Sequence, residues 1–221
     1  YGDYYQKGYR IKAVIAGDGS YQGMIEYMPG EFAYRPVDAK GYLFIQCLFV
    51  GFKKEYKGKG LASKLLDACI EEAKDAGMKG LAVVTRKGSF MAKKDIFLKN
   101  GFVAVDSVKP DFQLLALKIE DQAEDPRFKD LEKNLGPYKE GLYILRSVQC
   151  PYTEKNVNAM LDSARNEFGM DPKLVDLYDH LSVQRSPCAF GSFCLIHEGE
   201  IVSHHPISKT RFQSIMRKRL K

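Results

Sequence analysis

Three consecutive segments specify the architecture of this chain: YLFIQCLFV at Tyr42–Val50, GFKKEYKGKG at 51–60 and LASKLLDACIEEAKDA at 61–76. The first segment is almost continuously apolar between Gly41 and Gly51, as expected of a strand that is covered on both faces. From residue 60 onward, apolar residues recur at helical spacing and charged residues take the opposite positions. We therefore predict a central buried strand, a turn rich in glycine and lysine, and a helix over 60–76.

Shorter segments on both sides of this core complete one α/β unit. Two β-rich runs at 9–16 and 23–28 flank the turn Gly17-Asp18-Gly19, which is typical of a hairpin. The same patterns then predict a buried strand at Gly80–Thr85, a helix at 89–99, and strands at 102–108 and 112–119. The predicted order is β-β-β-α-β-α-β-β.

A second unit is predicted after a charged stretch. The chain has 221 residues, more than the roughly 100–150 residues of a common single domain. Residues 120–140 lose apolar periodicity, so we predict domains at 1–122 and 139–221, joined by a linker at 123–138. The second domain is expected to be a small α/β domain with the following elements: a strand at 141–148, a helix at 152–168, a strand at Lys173–Leu177, a hairpin at 193–201 and a helix from Lys209.

The composition is that of a globular protein. Apolar residues make up 45% of the chain and charged residues 28%. No apolar run approaches the ~20 residues that span a bilayer, and residues 1–8 do not resemble a signal peptide. We therefore expect a cytoplasmic protein without a membrane partner. The sequence opens on Tyr1 instead of methionine, which leaves room for a natural N-terminal segment before it.

Neither the net charge nor the cysteines indicate a nucleic-acid or metal site. Much of the +6 charge lies in the basic tail Arg217-Lys218-Arg219, which is typical of a solvated helix end, so no nucleic-acid partner is expected. The five cysteines have neither CxxC nor CxxH spacing, which argues against a disulfide framework and a zinc site. We expect reduced thiols and no metal, with His204 and His205 at the surface.

The turn before the predicted helix has the character of an anion site. Gly58 and Gly60 let the backbone approach a ligand closely, and the first N–H groups of a helix are unpaired. The helix dipole and four lysines add positive charge: Lys53, Lys54, Lys57 and Lys59. A diphosphate suits this field, and a flexible lysine-rich turn is the plainer alternative. The turn lacks the Gly-Lys-Ser/Thr ending of a P-loop.

The segment EYKGKG at 55–60 resembles the Gln/Arg-x-x-Gly-x-Gly/Ala motif of the GNAT acetyltransferase superfamily, with Glu55 as a departure in the first place. The resemblance covers about residues 9–119 and implies a GNAT-like mixed sheet flanked by helices that binds acetyl-CoA. It implies that the backbone of Leu48, Phe49 and Val50 pairs with pantetheine. It also assigns the pyrophosphate and a further pantetheine contact to these residues: Lys57, Gly58, Lys59, Gly60, Leu61 and Ala62, with Ser89 on a looser alignment.

Acetyl transfer to an amine needs a base and a donor that stabilises the oxyanion. The resemblance assigns the oxyanion donor to the Val50 N–H. Glu26 is the first choice as base, because burial in an apolar strand raises a carboxyl pKa, and an exposed strand face explains Glu26 equally well. Gln46 and Cys47 lie where some relatives place a base or a water-holding residue, although Cys47 also suits plain core packing.

The general acid of the family is missing from its usual position. The segment IFLKNGF at 96–102 resembles the family's Phe-Tyr-x-Lys-x-Gly-Phe, and Phe97 stands where a tyrosine often protonates the departing thiolate. Tyr56 is a candidate replacement, with packing over the loop as its plainer role.

The second domain contains a cysteine before a predicted helix, in Cys150-Pro151-Tyr152-Thr153. Helix-end amides lower the pKa of such a thiol. The CPYT segment resembles CPYC of the glutaredoxin and thioredoxin-like fold, with Thr153 in place of the second cysteine. Ser186-Pro187-Cys188 is a candidate for the cis-proline loop of that fold, and a Cys150–Cys188 pair is one option. The architecture and the segment 197–216 resemble the YoaP-like proteins, a small bacterial group.

These features together predict an N-acetyltransferase that moves an acetyl group from acetyl-CoA to a small-molecule or peptide amine. Two alternatives stay open. One is a non-catalytic acyl-CoA-binding sensor, which Phe97 at the usual tyrosine position favours. The other is a monothiol redox protein that uses Cys150. The acceptor and the oligomeric state are not predicted.

Overall fold

The computed structural model describes residues 2–51, 54–56, 58–88, 90–147 and 153–221. The chain forms two compact units. The first contains the residues up to Ala33 and Val37–Phe128, and the second contains Tyr34–Pro36 and Lys129–Lys221.

The first unit is built on a mixed six-stranded sheet in the order β1-β2-β4-β5-β7-β6. Its elements, in chain order, are α1 Gly2–Gln6, β1 Arg10–Ile15, β2 Tyr21–Pro29, β3 Val37–Asp38, β4 Tyr42–Val50, α2 Leu61–Asp75, β5 Gly80–Thr85, α3 Lys94–Lys99, β6 Val103–Val108, β7 Phe112–Lys118 and β8 Arg127–Phe128. β4 and β5 are parallel, and the other neighbouring strands of this sheet are antiparallel. The predicted α/β class, with a mixed sheet flanked by helices, is confirmed.

The core of the first unit lies where α2 packs against β1, β2, β4 and β5. Every residue of β5 is buried, as its apolar sequence predicts. α2 presents Leu65, Leu66, Cys69 and Ala73 to the sheet, at the helical spacing seen in the sequence. The glycine-bounded strand and its following helix therefore contribute much of the core of this unit.

α3 begins later than predicted. The sequence pattern places a helix over 89–99, but the helix begins at Lys94. Phe90 has a φ of 70°, in the left-handed region, and Lys93 is extended. A left-handed residue cannot continue a right-handed helix, so residues 90–93 precede α3 instead of belonging to it.

The stretch predicted as a linker carries secondary structure. β8 pairs with β3 in a separate two-stranded sheet, and a helix, α4, spans Leu131–Leu135. The Asp130 side chain caps α4 by accepting a hydrogen bond from the Lys133 N–H at 3.0 Å. The proposed domain limits stay a prediction.

The second unit contains a four-stranded sheet in the order β10-β9-β11-β12. Its remaining elements are β9 Leu142–Ser147, α5 Thr153–Phe168, β10 Lys173–Leu177, α6 His180–Gln184, β11 Phe193–His197, β12 Glu200–Ser203 and α7 Lys209–Arg219. β9 and β10 are parallel, and β11 is antiparallel to both β9 and β12. α5 packs on β9 and α7.

Two features of the second unit differ from the sequence analysis. α6 was not predicted, although Asp179 and Ser182 form a capping box at its start. The predicted cis-proline loop is wrong at Pro187, since the cis peptide bond found in the described part of the chain is Lys109–Pro110.

Candidate active site

The sheet of the first unit opens between its two parallel strands. β4 and β5 are paired over four residues, ending at Ile45↔Val83. Beyond this point β4 remains paired with β2 as far as Val50, and β5 remains paired with β7 as far as Thr85. The facing edges of the two strands therefore border a cleft at their carboxyl ends.

A β-bulge at Gln46 marks the place where the strands separate. In the pairing with β2, Cys47 lies opposite Glu26 and Ile45 lies opposite Tyr27, so Gln46 is an extra residue in β4. A bulge bends its strand and increases the local twist. The bulge therefore accounts for the divergence of β4 from β5.

Three predicted catalytic residues, Glu26, Gln46 and Cys47, meet at this bulge. Glu26 and Gln46 are each 6% exposed, and Cys47 is half-buried. The alternative that Glu26 lies on an exposed face of its strand is therefore wrong. Gln46 Nε2 donates to the Met28 sulfur at 3.1 Å, and its buried Oε1 accepts no hydrogen bond from the described residues. A carboxylic acid, an amide and a thiol lie together beside the cleft.

The N-terminus of α2 has an open backbone geometry. Gly58 and Gly60 have φ values of 72° and 71°, which side chains disfavour. A Cβ at either glycine would meet no atom within 4 Å. The Lys64 N–H donates to the Gly60 carbonyl at 3.0 Å, and Gly60 supplies no side-chain cap. The N–H groups of the first turn, including Leu61 and Ala62, therefore have no partner within the helix.

The other predicted binding residues lie on β4 and its following turn. Leu48 is buried in the core below α2, Phe49 is 39% exposed and Val50 is half-buried. The Lys59 side chain is exposed. Three predicted site residues lie outside the described part of the chain: Lys57, Ser89 and Cys150.

Phe97 and Tyr56 differ sharply in their surroundings. Phe97 is fully buried and packs edge-to-face on Phe102, with ring centroids 5.5 Å apart. Its position is thus part of the core. Tyr56 is half-buried in a short 3₁₀ helix, Lys54–Tyr56, between β4 and α2.

In the second unit, a thiol–imidazole pair appears that the sequence analysis missed. Cys188 Sγ lies 3.2 Å from His204 Nδ1, and the Cys194 thiol is within hydrogen-bonding reach of Cys188. Both cysteines are fully buried. His204 is half-buried, so its prediction as a plain surface residue is wrong. The three residues come from a turn, β11 and the segment after β12, and no sequence spacing reveals them.

The surroundings of Cys188 favour its thiolate. Burial opposes the charged form and raises a thiol pKa. Hydrogen bonds with Cys194 and His204 outweigh burial and lower the pKa of Cys188 below that of a free thiol. Burial and the neighbouring Cys188 raise the pKa of Cys194, and burial likewise raises the pKa of Cys69 in the first unit.

Three further findings concern metals, disulfides and membranes. Within the described ranges, no group of three or more His, Cys, Asp or Glu side chains is arranged to hold a metal ion. The described cysteines are free thiols: Cys47, Cys69, Cys188 and Cys194. No helix in the described part of the chain is both long and apolar enough to cross a membrane.

Comparison with known proteins identifies two families. Residues 5–102 match the Acetyltransferase (GNAT) family, and residues 173–213 match the YoaP-like family. A Bacillus subtilis (strain 168) protein described as an uncharacterized N-acetyltransferase, YoaP, is 30% identical over 194 residues, which cover 87% of this chain and 76% of that protein.

Similar solved structures include two acetyltransferases. An IAA acetyltransferase from Bacillus cereus ATCC 14579 is 23% identical, with a TM-score of 0.40, over 53% of this chain and 81% of that one. The PaiA N-acetyltransferase from Thermoplasma acidophilum, in complex with coenzyme A, is 20% identical, with a TM-score of 0.40, over 50% of this chain and 61% of that one.

The relationship to the Bacillus subtilis protein extends over most of both chains, so it includes both units. The predicted resemblance to the GNAT superfamily and to YoaP-like proteins is confirmed. The predicted cofactor, acetyl-CoA, is the donor that GNAT acetyltransferases use. The chain belongs to the GNAT acetyltransferase family as an N-acetyltransferase with a YoaP-like C-terminal segment.

Proposed function

We propose that the cleft between β4 and β5 binds acetyl-CoA and that its acetyl group passes there to the amine of a small molecule or peptide. The observation that carries this proposal is the edge of β4 beyond Ile45, which has no partner strand on the β5 side within the described residues. An exposed strand edge can pair with an extended chain that contains amide groups. Pantetheine is such a chain.

The direction of the peptide groups supports this role for β4. The Gly51 N–H donates to the Gln22 carbonyl at 2.9 Å, so it points toward β2. Peptide groups point to alternate sides along an antiparallel strand. The N–H groups of Val50 and Leu48 therefore point away from β2, into the cleft.

The residues at the N-terminus of α2 suit the diphosphate of the coenzyme. The space beside Gly58 and Gly60 is open, and the N–H groups of Leu61 and Ala62, which have no partner within the helix, are hydrogen-bond donors. The helix end adds the equivalent of about half a positive charge. Acetyl-CoA bound in this way supplies a thioester at the far end of its extended arm.

The direction of that arm separates the roles of the two β4 amides. With the diphosphate at α2, the arm runs back along β4 from Val50 to Leu48 and ends near the bulge. The Leu48 N–H is closer to Glu26 and Gln46 in the strand register. We therefore assign the oxyanion donor to Leu48, in place of Val50 as implied by the sequence comparison.

Glu26 is the side chain that we assign as general base. It is buried, and it lies opposite Cys47, one residue from the bulge. A carboxylate at that place can accept the proton of the amine as the amine attacks the thioester. Gln46 Oε1, buried without a partner among the described residues, is available to orient the N–H of the same amine.

A second candidate function is binding of acyl-CoA without turnover. It is favoured by Phe97, which is fully buried and places an apolar ring at the position where relatives often have a proton donor. Steady release of free CoA in the presence of any amine would exclude this candidate.

We also infer that the second unit has a thioredoxin-like fold. The strand order β10-β9-β11-β12, with one parallel pair and helices after each of the first two strands, supports this inference. The monothiol role of Cys150 stays a prediction. The free thiols of the described cysteines are consistent with the cytoplasm, which we keep as the proposed compartment.

The coenzyme site is tested by a matched pair of glycine substitutions at the two ends of α2. Gly60 and Gly77 have φ values of 71° and 63°, and a Cβ at either meets no atom within 4 Å. Gly60→Ala and Gly77→Ala therefore carry a similar backbone strain of roughly 1–2 kcal/mol. Of these two glycines, only Gly60 lies at the proposed diphosphate site.

Isothermal titration with acetyl-CoA is expected to give a dissociation constant in the micromolar to millimolar range that is typical of KM values. We expect about tenfold weaker binding for Gly60→Ala, since a methyl group blocks close approach of the diphosphate. Gly77→Ala should bind as the wild type does. Equal losses in both variants, or no binding by the wild type, would contradict the proposal.

A further inference from the structure

A basic cavity lies at the carboxyl end of β5. Its volume is about 720 Å³, within the roughly 300–1,000 Å³ of common small-molecule sites. The cavity is bordered by residues 85–88, the start of α3 and the turn between β6 and β7. It is lined by five basic and two acidic side chains: Arg86, Lys87, Lys93, Lys94 and Lys109, with Asp95 and Asp111. The excess of positive charge favours an anionic ligand.

Arg86 is the most constrained of these basic residues. Its side chain is 13% exposed, and Nη2 lies 3.2 Å from Asp111 Oδ1. The guanidinium carbon lies 4.9 Å from the centroid of the Phe112 ring. Nε and Nη1 are buried and donate to no group in the described ranges. Because buried donors are normally satisfied, these two N–H groups are candidates to bind a carboxylate or phosphate.

The position of the cavity separates it from the proposed coenzyme site. All of its lining residues belong to 85–113, on β5, α3 and the β6–β7 hairpin. The proposed diphosphate site is at the N-terminus of α2, which follows β4. The two basic sites therefore belong to strands on opposite sides of the cleft.

The cavity is close enough to the cleft to hold the other end of an acceptor. Val83 is the last residue of β5 that pairs with β4, and Arg86 follows three residues later. At about 3.3 Å per residue, the Arg86 backbone is about 10 Å from the point where the strands separate. An amine in the cleft and an anionic group in the cavity can belong to one extended molecule of two or three residues in length, since a chain spans at most about 3.5 Å per residue.

We propose that this cavity binds an anionic group, a carboxylate or a phosphate, of the acyl acceptor. The inference rests on the proposed function and specifies its substrate class: an amine that carries a negative group within about 10 Å of the nitrogen.

The test is a titration of the full chain with inorganic phosphate after saturation with CoA. Acetyl-CoA binding is measured first, so a failure of the proposed function is recorded separately. CoA then fills the diphosphate site, so that further saturable phosphate binding reports on another site. We expect such binding in the wild type, and about tenfold weaker binding in Arg86→Gln, which lacks the charged fork.

Two further variants make the test specific. Lys109→Gln changes an exposed lining residue, so it should weaken phosphate binding even if Arg86→Gln fails to fold. Lys74→Gln removes the same charge from an exposed site at the end of α2 and should change nothing. With turnover established, Arg86→Gln should raise KM about tenfold for short peptides with a free carboxylate, but not for the same peptides with a C-terminal amide.

Two outcomes would overturn the inference. If the CoA-saturated wild type shows no saturable phosphate binding, the cavity is not an anion site. If Arg86→Gln weakens acetyl-CoA binding but leaves binding of dephospho-CoA unchanged, the cavity holds the 3′-phosphate of the coenzyme instead of the acceptor.

Discussion

The parallel strand pairs of the two units differ in how far they stay together. In the second unit, β10 is paired with β9 along its whole length, from Lys173 to Leu177. In the first unit, β4 and β5 part after Ile45, although β4 continues to Val50. One unit therefore has an opened sheet and the other a closed pair.

This difference decides which chemical groups each unit has available for reaction. A closed pair uses its main-chain N–H and C=O groups within the sheet, so reactive groups must come from side chains, as with Cys188 and His204. An opened sheet keeps main-chain groups available along its cleft, as at Leu48 and Val50. If this comparison is correct, changes near the bulge affect turnover, and changes in the second unit affect thiol chemistry.

The largest expected effect is that of Glu26→Gln. The substitution keeps the shape of the side chain but removes the base beside the cleft, so kcat should fall by about 10²–10⁴. Acetyl-CoA affinity should stay within about twofold, since the proposed coenzyme contacts are main-chain groups of β4 and α2. CoA release under saturating acetyl-CoA and amine measures kcat. Glu71→Gln, at an exposed position on α2, is the control, and a similar kcat for both variants would remove Glu26 from the mechanism.

The second effect concerns the Cys188 thiol of the second unit, in which the parallel strands β9 and β10 stay paired. Since hydrogen bonds with Cys194 and His204 lower the pKa of Cys188, thiolate absorbance in the ultraviolet should appear at a pH below the range in which a free thiol ionises. This low-pH absorbance should be absent from Cys188→Ser. It should be unchanged in Cys69→Ser, because burial raises the pKa of Cys69 and its thiol stays protonated there.

The lowered pKa of Cys188 also determines how the free energy of unfolding changes with pH. The folded pKa of Cys188 is below that of a free thiol, so its stabilising contribution is complete above about 8.5 and is lost as pH falls through the folded value. The urea midpoint of the wild type should therefore fall relative to that of Cys188→Ser as pH decreases through this range. His204→Asn should move the thiolate midpoint upward. A midpoint near that of a free thiol in the wild type would show that the pair is ordinary core packing.

The smallest expected effects are losses of stability when a polar contact between a helix and a sheet is removed, once in each unit. In the first unit, Tyr27 Oη donates to Glu72 Oε2 at 2.6 Å, and burial with this hydrogen bond raises the pKa of Tyr27. In the second unit, Arg146 pairs with Asp176 at 2.7 Å and with Glu154 at 2.5 Å. Tyr27→Phe should cost about 1–2 kcal/mol, because a buried group loses a bond to a charge. Arg146→Gln should cost less than about 1 kcal/mol, because its carboxylates stay hydrated.

Hydrogen exchange of backbone amides measures both changes in their own unit. Tyr27→Phe should speed exchange in β2, and Arg146→Gln should speed exchange in β9 to a smaller degree. A larger effect of Arg146→Gln would mean that the closed unit depends more on side-chain contacts than the opened one.

Local pattern predicted the central features of the first unit. Continuous apolar character between two glycines indicated β4, and helical spacing indicated α2. The same segment drew attention to Gly58 and Gly60, which adopt left-handed backbone conformations before α2, and their role in anion binding stays a prediction. These features depend on neighbours in sequence, which a single chain reveals.

Other features depend on residues far apart in the sequence. The bulge at Gln46 arises from register against β2, and the Cys188–His204 pair arises from the packing of three separate segments. In the sequence, Arg86 is one of many basic residues. Its contact with Asp111 and its place in the cavity depend on the packing of the β6–β7 turn beside β5. The left-handed backbone of Phe90 has no signature in the sequence, because Phe rarely adopts this conformation, and the predicted start of α3 is therefore too early.

The most direct test of the central claim is an NMR titration of the amide groups with acetyl-CoA. We expect saturating acetyl-CoA to shift the Leu48, Val50 and Leu61 amide signals and to slow hydrogen exchange at Leu48 and Val50, while the β9 and β10 amides stay unchanged. If acetyl-CoA binds and these three signals do not move, the coenzyme does not use the opened edge of β4.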